Sequence, residues 1–491
     1  MKLSKLLEKV EVIRNDIDLE TEVTGVTLDT RKGCEGALYG ALPSLSDPNR
    51  HGKDYIPAAI AGGAKAVLLD VECDTQGLPG IYVKDARRAV AFAASAMYGN
   101  PADSLTMIGV TGTKGKTSTT HYVYSVLSQM GIPAGLIGTN EILYPDHRIP
   151  SRSTTPEAPE LYKHLREMVD YGVTHVVMEV SSHALDVGRV DPIRFRAGAF
   201  LNLSQDHLDY FGTMENLAAA KARFSALSDV FAVNGDDKWA SFMTENAGGK
   251  VVVFSMEDDM ADLVAKNVRL NADSVSFDAL TTGSMRRIRI ATPGRFTVYN
   301  GLCAVSVLLA AGLDLEEIAT GLSSATGVRG RAEVVDLREE YTVMVDYAHS
   351  PESMKEILKA VRSYTEGRII TVFGCGGNRD RTKRPIMGAI AYEQSDMVVI
   401  TSDNPRFEKP EEILDEIYAG IPAKPKKPVL REVDRAKAVY LALQAAKKGD
   451  LVLIAGKGHE DYQEIEGVKY PMDDRDLACA AAAKIKEENE G

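Results

Sequence analysis

Residues 105–120 read LTMIGVTGTKGKTSTT, and the order of residue types in this stretch decides the fold around it. Leu105 to Val110 is an apolar run that predicts a buried strand. Glycines at 109, 112 and 115 open a loop, and Lys116 and Thr117 then begin a helix pattern that continues through His121 to Met130. A strand, a glycine-rich turn and a helix N-terminus make an anion cradle. Backbone N–H groups point at the ligand, the helix dipole favours negative charge, and the lysine adds a full positive charge. The stretch therefore predicts a nucleoside-triphosphate site built from Gly112, Thr113, Lys114, Gly115, Lys116, Thr117 and Ser118. It departs from the general phosphate-loop spacing, which wants glycine where this chain has Val110, with Gly109 one place earlier. A turn without a ligand is the bland alternative. Strand, Gly-Lys-Thr and helix in the order phosphate binding needs favour the cradle.

Working outward, 491 residues are too many for one hydrophobic core and predict roughly three domains. Hydrophobic content of 44% with 26% charged residues is that of an ordinary globular protein. A net charge of −13 argues against nonspecific nucleic-acid binding, yet leaves room for a local basic cluster that holds phosphate. No stretch approaches the roughly 20 apolar residues of a membrane span, and the N-terminal MKLSKLLEKVEVIRND reads as a charged amphipathic helix rather than a signal peptide. The cysteines at 34, 73, 303, 375 and 479 form no paired spacing, so neither a disulfide framework nor a zinc site is indicated. A reducing cytoplasm is the expected location.

The predicted class is α/β in three domains. A small N-terminal α/β domain covers residues 1–103. A central P-loop domain with a parallel sheet covers 104–330, and a C-terminal Rossmann-like domain covers 331–491. Ala58 to Asp70 reads as a helix end and a strand, Ile81 to Val83 as a strand, Arg87 to Tyr98 as a helix, and Pro101-Ala102-Asp103 as a linker. Val173 to Val180, Ala197 to Leu203 and Leu227 to Asn234 are near-continuous apolar runs, as expected of a buried parallel sheet. Residues 250–300 read as an antiparallel appendix followed by a helix from Tyr299 to Ala311. Tyr341 to Asp346, Arg368 to Phe373, Asp396 to Thr401 and Asp450 to Ile454 are the strands of the last domain.

Polar motifs follow these strands. Glu179 ends one, where a carboxylate near a phosphate loop is placed to hold magnesium. His207 lies between Asp206 and Asp209, and Lys221 sits in an alanine-rich helix pattern. Read alone, His207 and Lys221 are each more often a structural or solvated residue, while for Glu179 a loop salt bridge weighs as much as metal binding. In the last domain, Asp346 to Pro351, Gly374 to Pro385, Thr401 to Arg406 and Gly456 to Glu460 each follow a strand. Four such loops predict one shared cleft at the sheet edge. Arg379, Arg381 and Arg384 are candidates to clamp carboxylates or phosphates.

Together GTKGKTS, EVSSHAL, NLSQDHLDYFG, the AAAK lysine, GVRGRAE, VDYAHSP, GCGGNRDRTKRP, SDNPR and GKGHE resemble the Mur ligase family of bacterial cell-wall synthesis, in family order over nearly the whole chain. The resemblance implies ATP-dependent amide synthesis through an acyl phosphate. The implied substrates are a UDP-MurNAc-dipeptide, bound by the first domain, and an amino acid, bound by the last. It implies that Lys116 contacts the β- and γ-phosphates, that Thr117 holds one magnesium ion, and that Glu179 and His207 hold a second. Lys221 is implied to carry a carbamate able to ligate metal. Asn300, Arg331 and Asp346 match positions that touch nucleotide from two domains, which implies closure on ATP. Thr30 and Arg31 match part of a uridine site, and Thr154, Thr155, Ser181 and Arg189 match residues that hold the muramoyl-dipeptide. The chain departs from the family at Leu38-Tyr39-Gly40-Ala41 and at Val187. Asp403, Asn404, Pro405 and Arg406, with Arg379, Gly456 and Glu460, match the amino-acid contacts, in the form that resembles meso-diaminopimelate addition. Arg406 suits a distal carboxylate and would repel the ammonium of lysine. The further expectations are a monomer, no nucleic-acid partner and no membrane span. A lysine-adding enzyme, a sister or folylpolyglutamate ligase, a P-loop kinase and a nonenzymatic paralogue are the alternatives.

Overall fold

The computed structural model describes all residues except 46, 48, 326 and 491, and the side chains of 489 and 490. It is α/β throughout and divides into two compact units. One comprises Met1–Ala265, Ala279–Arg286 and Tyr299–Leu322, the other Lys266–Asp278, Arg287–Val298 and Ser323–Gly491.

The first unit begins with a five-stranded sheet in the order Val12–Asn15, Gly80–Val83, Ala66–Leu69, Leu38–Gly40, Val26–Thr27. Its strands are parallel except for Val12–Asn15. The expected N-terminal helix is one turn only, Leu3–Leu6. Its charged surface pattern gives way at β-branched Val12, which pairs with Val83 of the sheet. Pro101-Ala102-Asp103, expected as a linker, is a tight 3-10 turn over Pro101–Ser104 with Pro101 and Ala102 buried.

The larger sheet of this unit places the phosphate-loop strand Thr106–Thr111 at its centre. His175–Glu179 and then Ala134–Ile137 lie on one side, and Phe195–Phe200, Ser228–Asn234 and Lys250–Ser255 on the other, all parallel. Neighbours on both sides of the first strand put a topological switch beside its C-terminal end, where open α/β sheets bind ligands. The antiparallel appendix expected from residue 250 is corrected at its start. Lys250–Ser255 joins in parallel, as does the beginning of Leu263–Leu270. The unbroken run Val251 to Phe254 is a parallel-sheet pattern, not an alternating one. One continuous core joins the two sheets of the unit, running from Leu3, Leu38 and Val90 to Leu161, Val176, Phe195 and Phe224. Helix Arg295–Ala311 starts a turn earlier than expected.

The second unit is built on a six-stranded sheet in the order Glu333–Val335, Thr342–Asp346, Leu451–Ala455, Ile369–Phe373, Met397–Ile400, Val429–Arg431. Only Glu333–Val335 runs antiparallel. Each face carries its own core, one around Met354, Phe373 and Ile417, the other around Val372, Val439 and Ala478. Because the four middle strands are parallel, the loops that follow them lie on one edge. A separate hairpin, Tyr462–Ile465 with Val468–Pro471, rises after the last of these loops. Among the described residues no helix is long and apolar enough to cross a membrane.

Candidate active site

In the first unit the phosphate loop leaves its strand after Thr111 and enters helix Lys116–Gln129, with Gly115 in the left-handed region at φ 85°. A Cβ on Gly115 would stand 2.3 Å from Asn300 Oδ1, so both conformation and space require glycine there. The loop is braced from the neighbouring strand end. Lys114 N donates to Asn202 Oδ1 at 2.9 Å, Asn202 Nδ2 donates to Lys114 O at 3.0 Å, and Thr113 Oγ1 donates to Ser204 O at 3.2 Å. Asn202 went unassigned in the sequence. Its place directly after an apolar strand, on the switch-point neighbour of the phosphate strand, is the signal that could have found it. Thr117 and Ser118 are buried in the first turn of the helix.

Lys116 Nζ donates to Gly112 O at 2.9 Å and to Thr113 O at 3.1 Å. Lys221, on helix Met214–Ala226, reaches the same carbonyl, Gly112 O, at 3.1 Å. Two lysines so far apart in sequence thus converge on one oxygen. Lys221 is 3% exposed. Burial, then the Lys116 charge, hold its ammonium well below the usual lysine range, against a smaller opposite pull from Asp206.

Glu179 is in register with Val110, which sets its carboxylate at the edge of the sheet where the loop begins. It is buried and accepts from Thr139 N at 2.8 Å and Thr139 Oγ1 at 2.9 Å. Thr139 Oγ1 also lies within hydrogen-bond distance of the Thr154 hydroxyl, at 3.0 Å. Thr155 Oγ1 donates to Glu179 O at 2.8 Å and accepts from Ser181 N at 3.0 Å. Ser181 caps the helix Ser182–Asp186, and Arg189 Nη1 donates to Thr155 O at 3.0 Å and pairs with Glu157. Thr154, Thr155, Ser181 and Arg189 therefore form one network anchored on Glu179. His207 is a half-exposed residue in the left-handed region at φ 51°, with its ring edge-on to His183 at 4.7 Å and Nε2 3.4 Å from Asp206 Oδ2. Thr30 and Arg31 lie away from this network, in a 3-10 turn of the five-stranded region, where exposed Arg31 pairs with Asp29 at 2.8 Å. Tyr39, where the chain departs from the family pattern, is a core residue whose hydroxyl donates to Gly52 O at 2.9 Å.

Among the described residues no three His, Cys, Asp or Glu side chains gather into a metal cage. The Thr117 hydroxyl, the Glu179 carboxylate and the His207 ring each lie at or after the end of one of three neighbouring parallel strands. Sparse, mostly oxygen donors fit a magnesium ion that takes the rest of its shell from phosphate and water.

In the second unit Asp346 ends its strand, accepting from Ala332 N at 2.7 Å and Ala348 N at 2.8 Å. Burial pushes its carboxyl above the usual range, although these bonds and Arg331 pull the other way. The Arg331 guanidinium lies 4.8 Å over the Tyr347 ring, which also meets His459 at 5.1 Å. The loop Asp403–Arg406 faces Gly456 and Glu460. Asn404 Nδ2 donates to Glu460 Oε2 at 2.8 Å, and a Cβ on Gly456 would meet Asp403 Oδ2 at 2.9 Å. Arg406, at φ 52°, donates from Nη1 to Gly377 O at 2.9 Å and from Nε to Glu464 Oε2 at 3.2 Å. Arg379 is exposed beside Gly376 and Arg406. Arg381 and Arg384, expected to clamp a ligand, are instead paired with carboxylates of the chain itself, Arg381 at the surface and Arg384 in the interior. Arg384 is fully buried and binds Glu408 at 2.8 Å and Glu416 at 2.8 Å, and Arg381 binds Glu416. The sequence could not separate these arginines, because their partners lie 24 residues or more along the chain.

Similarity to known proteins follows the same layout. The Mur ligase middle domain matches residues 110–308, and the Mur ligase glutamate ligase domain matches residues 330–458. A UDP-N-acetylmuramoyl-L-alanyl-D-glutamate–2,6-diaminopimelate ligase of Bacillus velezensis is 38% identical over 99% of each chain. One of the same name from Gloeobacter violaceus is 42% identical over 99% of this chain and 98% of its own. A solved structure of a ligase of that name superposes with a TM-score of 0.72 at 29% identity, covering 100% of this chain and 99% of the other.

Proposed function

This chain belongs to the Mur ligase family, and we propose that it is an ATP-dependent ligase joining meso-diaminopimelate to UDP-N-acetylmuramoyl-L-alanyl-D-glutamate in peptidoglycan precursor synthesis. The observation that carries this is likeness over 99% of the chain to ligases named for that pair of substrates. The parallel strand ends, with a phosphate loop in one unit and a charged loop cluster in the other, support it.

A carboxylate is a poor electrophile, and here it must meet a second anion, the triphosphate. The D-glutamate side-chain oxygen attacks the γ-phosphorus and ADP leaves, giving an acyl phosphate. The amine nitrogen of diaminopimelate then attacks the acyl carbon. Phosphate departs with the original carboxylate oxygen, and the nitrogen loses a proton. The phosphate loop, Gly112 to Ser118, holds the triphosphate by its N–H groups, and Lys116 offsets charge on the β- and γ-phosphates. Thr117 would hold one magnesium ion and Glu179 with His207 a second, which would supply further positive charge. Asn300, Arg331 and Asp346 complete the nucleotide contacts.

A buried amine held below its usual range is neutral enough to attack carbon dioxide. The N–C bond forms, a proton leaves, and Lys221 becomes an anionic carbamate. The shared Gly112 oxygen supports this, because two ammonium groups on one carbonyl repel, whereas a carbamate beside Lys116 attracts. Thr30 and Arg31 take the uridine end of the precursor, and Thr154, Thr155, Ser181 and Arg189 its muramoyl-dipeptide. Arg379, Asp403, Asn404, Pro405, Arg406, Gly456 and Glu460 take diaminopimelate. In domain terms, residues 1–103 bind UDP, 104–330 bind ATP and 331–491 bind the amino acid. The enzyme is a cytoplasmic monomer in this proposal. Product mass tests it, with meso-diaminopimelate, L-lysine and L-ornithine offered in turn. A tripeptide precursor with diaminopimelate alone is expected, and one formed with lysine but not with diaminopimelate overturns the substrate assignment.

A further inference from the structure

One fully buried ammonium organises the loops of the second unit. Lys457 has no exposed side-chain surface. Its Nζ donates to Asn404 Oδ1 at 3.1 Å and to Glu460 Oε2 at 3.3 Å, and lies 3.9 Å from Asp403 Oδ1. Asn404 Oδ1 also accepts from Glu464 N at 2.9 Å. An amide oxygen holding two donors cannot exchange places with its own NH2 group, which would set donors against donors. Asn404 Nδ2 is therefore committed to Glu460 Oε2, at 2.8 Å. Beneath these loops Arg435 and Asp474 form a buried pair, and Arg435 donates to Ser402 O at 3.2 Å and Ala455 O at 3.1 Å. The two loops thus have fixed spacing as well as fixed polarity.

A buried cation is costly to desolvate and persists where the surrounding oxygens satisfy it. Here those oxygens belong to Asp403, Asn404 and Glu460. We propose that Lys457 is a positioning residue for the incoming amino acid, locking the Asn404 amide and the Glu460 carboxylate into one orientation and so setting amino-acid affinity without touching nucleotide. This rests on the assignment of Asn404 and Glu460 to amino-acid binding given above. A Lys457 that merely supported the fold would affect all three substrates alike.

The test is steady-state kinetics of the full-length K457M and K457Q proteins. K457M should raise the KM for diaminopimelate about tenfold or more, with the KM for ATP changed by about twofold at most. K457Q keeps two N–H donors and should recover part of that loss. A folded K457M with unchanged KM for diaminopimelate overturns the assignment, as does a parallel rise in KM for ATP, the UDP precursor and diaminopimelate. Should K457M not be recovered folded, the same split in K457Q decides. A wild-type protein that consumes no amino acid sinks the underlying ligase reading and this assignment with it. A working wild type whose variants keep its KM sinks the assignment alone.

Discussion

Burial decides what a basic side chain does in this protein. Lys221 looks like an ordinary helix lysine in sequence, and only packing puts its amine against Gly112 O and away from water. K221A should lower kcat by about a hundredfold, as expected when the carbamate proposed to hold Lys116 and metal at the phosphate loop is removed. Isotope-labelled bicarbonate should give a carbamate resonance in the wild type that is absent from the variant. A wild-type spectrum without it contradicts the carbamate. Arg406 keeps its guanidinium on the loop edge, bound to Gly377 O and Glu464. R406A should raise the KM for diaminopimelate about tenfold or more and leave that for ATP unchanged, the loss expected for a charge-assisted hydrogen bond. An unchanged diaminopimelate KM contradicts its role. His459 gives a pH signature. Burial, then the charges of Arg331 and Arg329, lower its pKa from 6.5 to about 4. The unfolded chain therefore binds more protons than the folded one between those values. The stability tied to neutral His459 is whole above pH 6.5 and is lost as pH falls toward 4. Denaturant titrations of H459Q should show a shallower fall across that window, and an unaltered slope contradicts the assignment.

At the scale of elements, most strands of the parallel sheets were legible as continuous apolar runs, and the phosphate loop as Gly-Lys-Thr before a helix. Elements were missed where local pattern and tertiary pairing disagree. Val12–Asn15 leaves a helix-like pattern to pair with Gly80–Val83, and Lys250–Ser255 carries a parallel-strand run at the start of a segment that otherwise alternates. At the candidate site, the residues proposed from motifs were visible in the sequence, but their bracing was not. Thr139, Asn202 and Lys457 act through hydrogen bonds to residues 40, 88 and 53 positions away. The loops of the second unit are laced as closely as their sequence is polar. Gly377 N donates to Asn404 O at 2.9 Å, and a Cβ on Gly377 would stand 1.9 Å from Pro405 O. G377A must push two backbones apart, which should cost about 3 kcal/mol and lower the thermal midpoint. A wild-type midpoint in G377A contradicts this packing.

Over the whole molecule, each compact unit brings its polar loops to the C-terminal ends of parallel strands, one in a phosphate loop and one in a charged loop cluster. The chemistry proposed for them depends on a carboxyl oxygen becoming part of a phosphate. The most direct measurement uses UDP precursor whose D-glutamate side-chain carboxylate carries heavy oxygen, turned over with ATP and meso-diaminopimelate. One labelled oxygen in each inorganic phosphate released is the predicted result. Phosphate released without label, while amide is formed, contradicts an acyl-phosphate route.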